Sequence, residues 1–196
     1  VNYRLGPFGF FSHPELSIET GSSGNQGFSD QIQSLKWVKE NISQFGGDPN
    51  NIYIFGESAG SWSVNVLQAS PLAKGLFHKA IGQSGARLIP LTHLNKSTTY
   101  SKSAEELGLD WSKVMAGNNN LSLEELKRLP PLTIIRNLEA DPLHATQFAS
   151  LTVIDGNIIP EDITKTFQRG EQAEVPVVIG IGRLYTSAAA SAHTGC

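Results

Sequence analysis

Cysteine, methionine and long apolar runs are nearly absent from this sequence. The one cysteine, Cys196, is the last residue, so the chain can form neither an internal disulfide nor a cysteine-rich zinc site. No apolar run approaches the roughly 18 residues that a membrane-spanning helix needs, so we expect no membrane span. The only methionine, Met115, is internal, and the chain opens on Val1 without a signal peptide. We therefore expect an internal fragment of a longer protein, whose compartment, cytoplasmic or secreted, stays open.

Charge is sparse and nearly balanced. Lysine and arginine number 15 and aspartate and glutamate 18, which gives a formal net charge of −3, and charged residues make up 17% of the chain. This balance excludes the basic surface of a nucleic-acid binder and the high net charge of a disordered acidic segment. The hydrophobic share of 39% is that of an ordinary globular protein, and 196 residues fit one domain or at most two.

An amphipathic helix is predicted near the start of the chain. Apolar side chains recur at helical spacing over residues 28–45, Ser29 or Asp30 could cap the helix, and Gly46-Gly47 would end it. The apolar positions are Phe28, Ile32, Leu35, Val38, Ile42 and Phe45.

Short apolar runs predict the strands. Residues 52–55 are typical of a strand that is buried on both faces, residues 175–179 predict a final buried strand, and residues 80–83 predict another short strand. Residues 59–69 predict a helix directly after the first of these strands. Because strands alternate with helices along the chain, the fold class is α/β, with a mostly parallel sheet flanked by helices.

The region between the second and last strands is predicted to be helical, over about residues 92–150. Within it, Ser122 and Glu125 have the spacing of a capping box, and Pro130-Pro131 would end the helix that this box opens. Further on, Pro160 stands where a short helix would begin.

The chemistry is concentrated in Gly56-Glu57-Ser58-Ala59-Gly60. This Gly-x-Ser-x-Gly motif follows a predicted buried strand and opens a predicted helix, which is the setting of a nucleophile elbow. A sharp turn there would hold the serine in a strained conformation with its hydroxyl above the sheet edge, and we expect both glycines to avoid collisions in the turn. The positive end of the following helix, with the Ala59 N–H, would face a developing oxyanion. The alternative is a plain Gly-Ser turn that caps a helix.

Beyond the motif, ordered matches along residues 2–86 resemble the type-B carboxylesterase/cholinesterase-like family of α/β-hydrolases, and among its members the bacterial carboxylesterases. The resemblance implies a partial α/β-hydrolase fold and continues more weakly to about Gly180. The matching pieces are Asn2-Tyr3-Arg4-Leu5-Gly6, Gly24-Asn25-Gln26-Gly27, Asp30-Gln31, Trp37-Val38, Asn41-Ile42, Phe45-Gly46-Gly47-Asp48-Pro49, Phe55-Gly56-Glu57-Ser58-Ala59-Gly60 and Gln83-Ser84-Gly85.

The resemblance assigns roles to single residues. It implies that Ser58 is the catalytic nucleophile that accepts the acyl group and that Ala59 supplies an oxyanion-hole N–H. It further implies that Glu57 is a buried acid beside the nucleophile and that Ser84 is a supporting serine behind the catalytic histidine. For Ser84, a plain turn serine is the alternative.

Arg4 and Asp30 resemble a structural ion pair between the end of a strand and the first helix of the family fold. We expect a structural rather than a catalytic role for this pair.

Two members of a serine–histidine–acid triad are missing from the pattern. The family's acid should follow the last strand, but residues 180–185 contain no carboxylate. The catalytic histidine should lie further on, and His193 lacks the family's surrounding residues, so we interpret it as a tail residue in solvent. The other histidines match no catalytic motif and are interpreted as surface or packing residues: His13, His78, His93 and His144.

We therefore predict a partial catalytic domain over residues 1–182, with the helical insertion at about 92–150, and an aberrant or unstructured tail over residues 183–196, for which a shifted reading frame is the simplest explanation. The glycine-rich oxyanion loop should lie upstream of Val1.

The functional prediction is a fragment of a serine carboxylesterase that hydrolyses small-molecule carboxylic esters through an acyl-enzyme at Ser58. The chain as given is expected to be inactive, because it lacks the acid and the histidine. The alternative is a non-catalytic cholinesterase-like adhesion or binding domain, which would tend to lose the nucleophile. No cofactor, metal or nucleic-acid partner is expected, and the oligomeric state and the particular ester are left open.

Overall fold

Two parallel sheets organise the chain, and a computed structural model describes residues 1–86, 88–141 and 152–181. The larger sheet has the strand order β1–β2–β5, formed by Tyr53–Glu57, Lys79–Gln83 and Val177–Gly180. Both pairings are parallel, with Phe55 opposite Ile81 and Ile81 opposite Val178. The smaller sheet pairs β3, Thr92–His93, with β4, Val153–Ile154, also in parallel. The predicted α/β class with a parallel sheet is therefore confirmed.

Eight α-helices in the described ranges surround these sheets. α4 directly follows β1 at the predicted residues and packs on β1 and β2. The short helix predicted from Pro160 instead begins at Ile163, because the Asp162 side chain accepts a hydrogen bond from the Thr164 N–H at 2.9 Å and caps the helix there. The helices are α1 Gly6–Phe10, α2 Pro14–Thr20, α3 Gln26–Asn41, α4 Ala59–Ala69, α5 Ala104–Met115, α6 Leu123–Lys127, α7 Pro131–Glu139 and α8 Ile163–Gln168.

The first amphipathic helix, α3, begins two residues before the predicted start. Its N-cap is Asn25, so Ser29 and Asp30 lie inside the helix and the prediction that one of them caps it was wrong. A 3-10 turn extends the helix to Phe45, and Gly46 ends it with a positive φ of 81°. Phe45 is exposed and stacks against Trp37, with ring centroids 6.0 Å apart, so it does not belong to the buried face.

β1 and β2 are buried on one face only, and β5 is exposed on both faces. On β1, Ile54 is 7% exposed but Phe55 is 76% exposed, and on β5 Ile179 is 76% exposed. The predictions that the first strand is buried on both faces and that the last strand is buried were therefore wrong. The reason is that α4 covers one face of the sheet, whereas within the described ranges nothing covers Phe55 on the other face. An apolar run shows that a strand is suited to burial, but the neighbouring elements decide how much of it is covered.

The helical region has its own core, in which α5 and α7 pack together around Trp111 and Met115. Ser122 forms the predicted capping box of α6 with Glu125, and a second box, Ser103 with Glu106, opens α5. Residues 142–151 of the predicted insertion lie outside the described ranges, so its boundaries stay a prediction, as does the boundary at residue 182.

Candidate active site

The serine of the Gly-x-Ser-x-Gly motif occupies a strained turn between β1 and α4. Ser58 has φ 53° and ψ −114°, a backbone conformation that residues with a side chain rarely adopt. A Cβ at Gly56 would lie 2.3 Å from the carbonyl carbon of Gly60, so the turn excludes a side chain at Gly56. A Cβ at Gly60 would meet no described atom within 4 Å. The expectation that both glycines avoid collisions therefore holds for Gly56 and is wrong for Gly60.

The hydroxyl and the following N–H are both accessible. Ser58 and Ala59 are exposed, and no described residue hydrogen-bonds to the Ser58 hydroxyl or accepts from the Ala59 N–H. The Ser58 backbone is held instead, because its N–H donates to the Gln83 carbonyl at 2.9 Å and its carbonyl accepts from the Trp62 N–H at 3.1 Å. An exposed serine and an N–H with no acceptor among the described residues thus stand side by side at the start of α4.

Ser84 lies in a second strained turn, at the carboxyl end of the adjacent strand β2. Its φ is 52°, and its N–H donates to the Gly180 carbonyl of β5 at 2.7 Å. A Cβ at the next residue, Gly85, would lie 2.5 Å from the Ser58 carbonyl oxygen, so the two turns pack directly against each other. The carboxyl ends of all three strands of the larger sheet are therefore joined around Ser58.

Glu57 is exposed, and the expectation of a buried acid beside the nucleophile was wrong for this chain. Side chains alternate across a strand, so Glu57 shares the face of β1 that carries the exposed Tyr53 and Phe55.

Arg4 and Asp30 form an ion pair that attaches the start of the chain to α3. The guanidinium donates to both carboxylate oxygens, at 2.8 and 2.7 Å, and the Arg4 backbone N–H donates to the same carboxylate at 3.0 Å. These hydrogen bonds lower the pKa of Asp30 and raise that of Arg4. No hydrogen bond or ion pair within the described ranges joins the pair to Ser58, as expected for a structural role.

None of the described histidines hydrogen-bonds to Ser58. The Nδ1 of His13 accepts from the Glu15 N–H at 3.3 Å and caps α2, and the Nδ1 of His78 accepts from the Ile52 N–H at 3.1 Å. His93 is half-buried on β3. His144 and His193 lie outside the described residues.

The described ranges contain neither a metal-binding cluster nor a membrane-spanning helix. There, no group of three or more histidine, cysteine, aspartate or glutamate side chains could hold a metal ion. In the same ranges, no helix is both long enough and apolar enough to span a membrane.

Two serines on α4 that the sequence reasoning missed contact the elbow. Ser61 donates from its hydroxyl to the Gly85 carbonyl at 2.5 Å, and Ser63 donates to the Ala59 carbonyl at 3.2 Å while it accepts from the Gln31 amide at 3.1 Å. The only signal in the sequence is that both are polar residues at positions of α4 that are buried.

A parallel sheet with a strained serine between a strand and the helix that covers the sheet defines an α/β-hydrolase core, and solved structures agree. A PNB esterase superposes with a TM-score of 0.74 at 36% identity, over 93% of this chain and 36% of the other. A carboxylesterase of Geobacillus stearothermophilus superposes with a TM-score of 0.71 at 34% identity, over 92% and 36% of the two chains.

The sequence comparisons specify the family. The model of the Carboxylesterase family matches residues 1–192, and the para-nitrobenzyl esterase of Bacillus subtilis is 38% identical over 183 residues. Liver carboxylesterase 1 of Oryctolagus cuniculus is 36% identical over 189 residues. The chain therefore belongs to the carboxylesterase family. It spans 36% of the Bacillus protein and 33% of the rabbit protein, with 93% of its own length covered in each comparison.

Proposed function

We propose that this chain carries the nucleophile of a serine carboxylesterase and that Ser58 forms the acyl-enzyme. The observation that carries the proposal is the strained backbone of Ser58, with φ 53°, which holds the exposed serine beside the Ala59 N–H, a donor without an acceptor in the part of the chain that the structure describes. A strained backbone conformation costs free energy and persists only where the surrounding structure fixes it. Such strain is typical of active sites. The names of the relatives, para-nitrobenzyl esterase and liver carboxylesterase, support carboxylic esters as the substrate class.

The reaction follows from these groups. The Ser58 oxygen attacks the ester carbonyl, a general base takes the hydroxyl proton, and the new C–O bond gives a tetrahedral oxyanion. The Ala59 N–H stabilises this anion, and one such donor contributes about 3–4 kcal/mol to the transition state. The bond to the alcohol then breaks as the alcohol takes the proton, and water hydrolyses the acyl-enzyme by the same route. None of these steps requires a cofactor.

We further propose that the 196-residue chain does not turn over esters by itself, whereas a protein of its relatives' full length does. Serine is a poor nucleophile without a base. Within the described ranges no histidine hydrogen-bonds to Ser58, and residues 180–185 contain no carboxylate. The chain also spans about a third of each relative, which leaves room elsewhere for a base and an acid.

The test is hydrolysis of a short-chain para-nitrophenyl ester by the full-length protein that contains this chain and by the chain alone. We expect the full-length protein to be active and Ser58→Ala to lower its kcat by about 10⁵- to 10⁶-fold, as loss of a triad serine does. Ser70→Ala is the matched control, because Ser70 lies at the other end of α4 and its buried hydroxyl has no partner among the described atoms.

Each outcome decides a part of the proposal. Activity of the full-length protein that survives Ser58→Ala would contradict the role of Ser58. Inactivity of the full-length protein would favour the adhesion or binding alternative. Ser58-dependent turnover by the short chain would contradict its proposed inactivity.

A further inference from the structure

Ser61 places a fully buried hydroxyl between the elbow and the loop that follows β2. Its side chain is 0% exposed in the first turn of α4, and its hydroxyl donates to the Gly85 carbonyl at 2.5 Å. A serine at an exposed helix position would be hydrated, but a buried hydroxyl must find an acceptor inside the protein. The acceptor chosen here belongs to the loop that also carries the strained Ser84.

The packing around Ser61 leaves little room for the loop to move. A Cβ at Gly82 would lie 2.8 Å from the Ser61 hydroxyl oxygen, and a Cβ at Gly85 would lie 3.1 Å from the Ser61 Cβ. The same Cβ at Gly85 would lie 2.5 Å from the Ser58 carbonyl oxygen. Two glycines thus allow the loop to approach both serines closely, and the Ser61 hydrogen bond lies at the centre of this contact.

A strained turn persists only where its surroundings determine it on both sides. On the strand side, the Ser58 N–H donates to the Gln83 carbonyl at 2.9 Å. On the helix side, the Ser61 hydroxyl supplies the corresponding bond, to Gly85. Together they attach the elbow to the end of β2 through the N–H of Ser58 and to the loop after β2 through the Ser61 hydroxyl.

We propose that Ser61 is a positioning residue, which holds the Ser58 hydroxyl and the Ala59 N–H in fixed relation to the loop after β2. The proposal rests on the proposed esterase function of Ser58. Ser61 itself contacts no reacting atom, so its removal would misplace the nucleophile and the oxyanion donor without changing how the ester is bound.

The kinetic test is Ser61→Ala in the full-length protein, with Ser70→Ala as the matched control. Both variants remove a buried serine hydroxyl from one end or the other of α4, but only Ser61 bonds to the loop after β2. We expect Ser61→Ala to lower kcat by about 10- to 100-fold, because displacement of a catalytic group by about 1 Å has an effect of this size, and to leave KM within about twofold. Ser70→Ala should leave both parameters unchanged.

A second measurement on the 196-residue chain separates this proposal from the proposed function. Backbone amide hydrogen exchange in peptides that cover residues 83–86 should speed up in Ser61→Ala and not in Ser70→Ala. If the full-length wild type lacks Ser58-dependent activity, the proposed function fails, and the exchange result alone decides the role of Ser61. Unchanged exchange overturns the proposal, as does an unchanged kcat, or an equal loss of kcat in both variants.

Discussion

Two residues with a side chain adopt left-handed backbone conformations within one small region of this molecule. Ser58 and Ser84 have φ values of 53° and 52° and follow adjacent parallel strands. Each such conformation costs about 1–3 kcal/mol, and the surrounding structure must offset it. Here the offset comes from backbone hydrogen bonds between strand ends and from glycines that let the two turns touch. The strain therefore belongs to the pair of turns and not to the nucleophile alone.

The two glycines of the motif should respond differently to a side chain. Gly56→Ala places a Cβ 2.3 Å from backbone atoms of Gly60, which cannot move without opening the turn. We expect it to lower the free energy of unfolding by about 3 kcal/mol or more. Gly60→Ala meets no described atom within 4 Å and gains helix propensity, so it should be neutral or stabilising by up to about 1 kcal/mol. Urea unfolding of both variants beside the wild type measures this, and equal losses would contradict the steric account.

The elbow was predictable from sequence because its chemistry is local. A serine flanked by glycines, between an apolar run and a helix pattern, dictates the turn whatever the rest of the chain does. The exposure of Glu57 was not predictable in this way, because it depends on which elements cover one face of β1. The role of Ser61 was also hidden, because its partner Gly85 lies 24 residues away and only the fold brings them together.

At the scale of elements, the sequence predicted which helices and strands form better than it predicted which other parts of the chain contact them. α4 has the predicted bounds, and the Ser122–Glu125 capping box forms, because both depend on residues within a few positions of each other. By contrast, α3 begins at Gln26 with Asn25 as its N-cap, and because Asn, Ser and Asp cap helices about equally well, local preference could not choose among Asn25, Ser29 and Asp30. Asp30 instead pairs with Arg4, 26 positions away, a tertiary contact that a local pattern does not show.

The cap of α2 should make the stability of the chain depend on pH. His13 is 5% exposed, and its Nδ1 must be unprotonated to accept from the Glu15 N–H. Burial lowers its pKa, and although Glu15, Glu19 and Glu105 act in the opposite direction, burial is the larger effect. The folded state therefore binds a proton less readily than the unfolded state, in which the pKa is about 6.5. Stability is fully present above that value and falls as the pH drops from there through the lowered pKa.

The measurement is the urea midpoint of the wild type and of His13→Asn between pH 7.5 and 5. Asparagine retains an acceptor for the cap and does not titrate, so the midpoint of the variant should fall less over this range. Equal pH dependence in the wild type and in His13→Asn would show that the His13 cap does not contribute.

At the scale of the whole molecule, the chain is well packed on one side and open on the other. One cluster of buried residues joins α3 and α4 to the sheet, and a second lies among the helices around Trp111. On the opposite face of the sheet, Phe55 and Val178 are exposed. Within the described ranges β1 and β5 each pair only with β2, so each has an unpaired edge. A groove of about 420 Å³, lined by Leu35, Val38 and other apolar residues, runs along β1.

These open surfaces predict that the isolated chain self-associates. Exposed apolar strands with unpaired edges are templates for pairing with another copy, and a charged side chain on such a strand opposes it. Phe55→Lys should therefore raise the monomer fraction at concentrations of tens of micromolar. It should leave the urea midpoint nearly unchanged, because Phe55 is 76% exposed and contributes little to the core.

The matched control is Ile18→Lys, which changes the charge by the same amount at a residue that is 84% exposed on α2, away from the sheet. Sedimentation velocity of the wild type and both variants measures the monomer fraction. If association occurs through the sheet, Phe55→Lys alone should suppress it, since the change in net charge from −3 to −2 would act equally in both variants. A wild type that stays monomeric at 100 µM, or equal suppression by both variants, would contradict self-association through the open sheet.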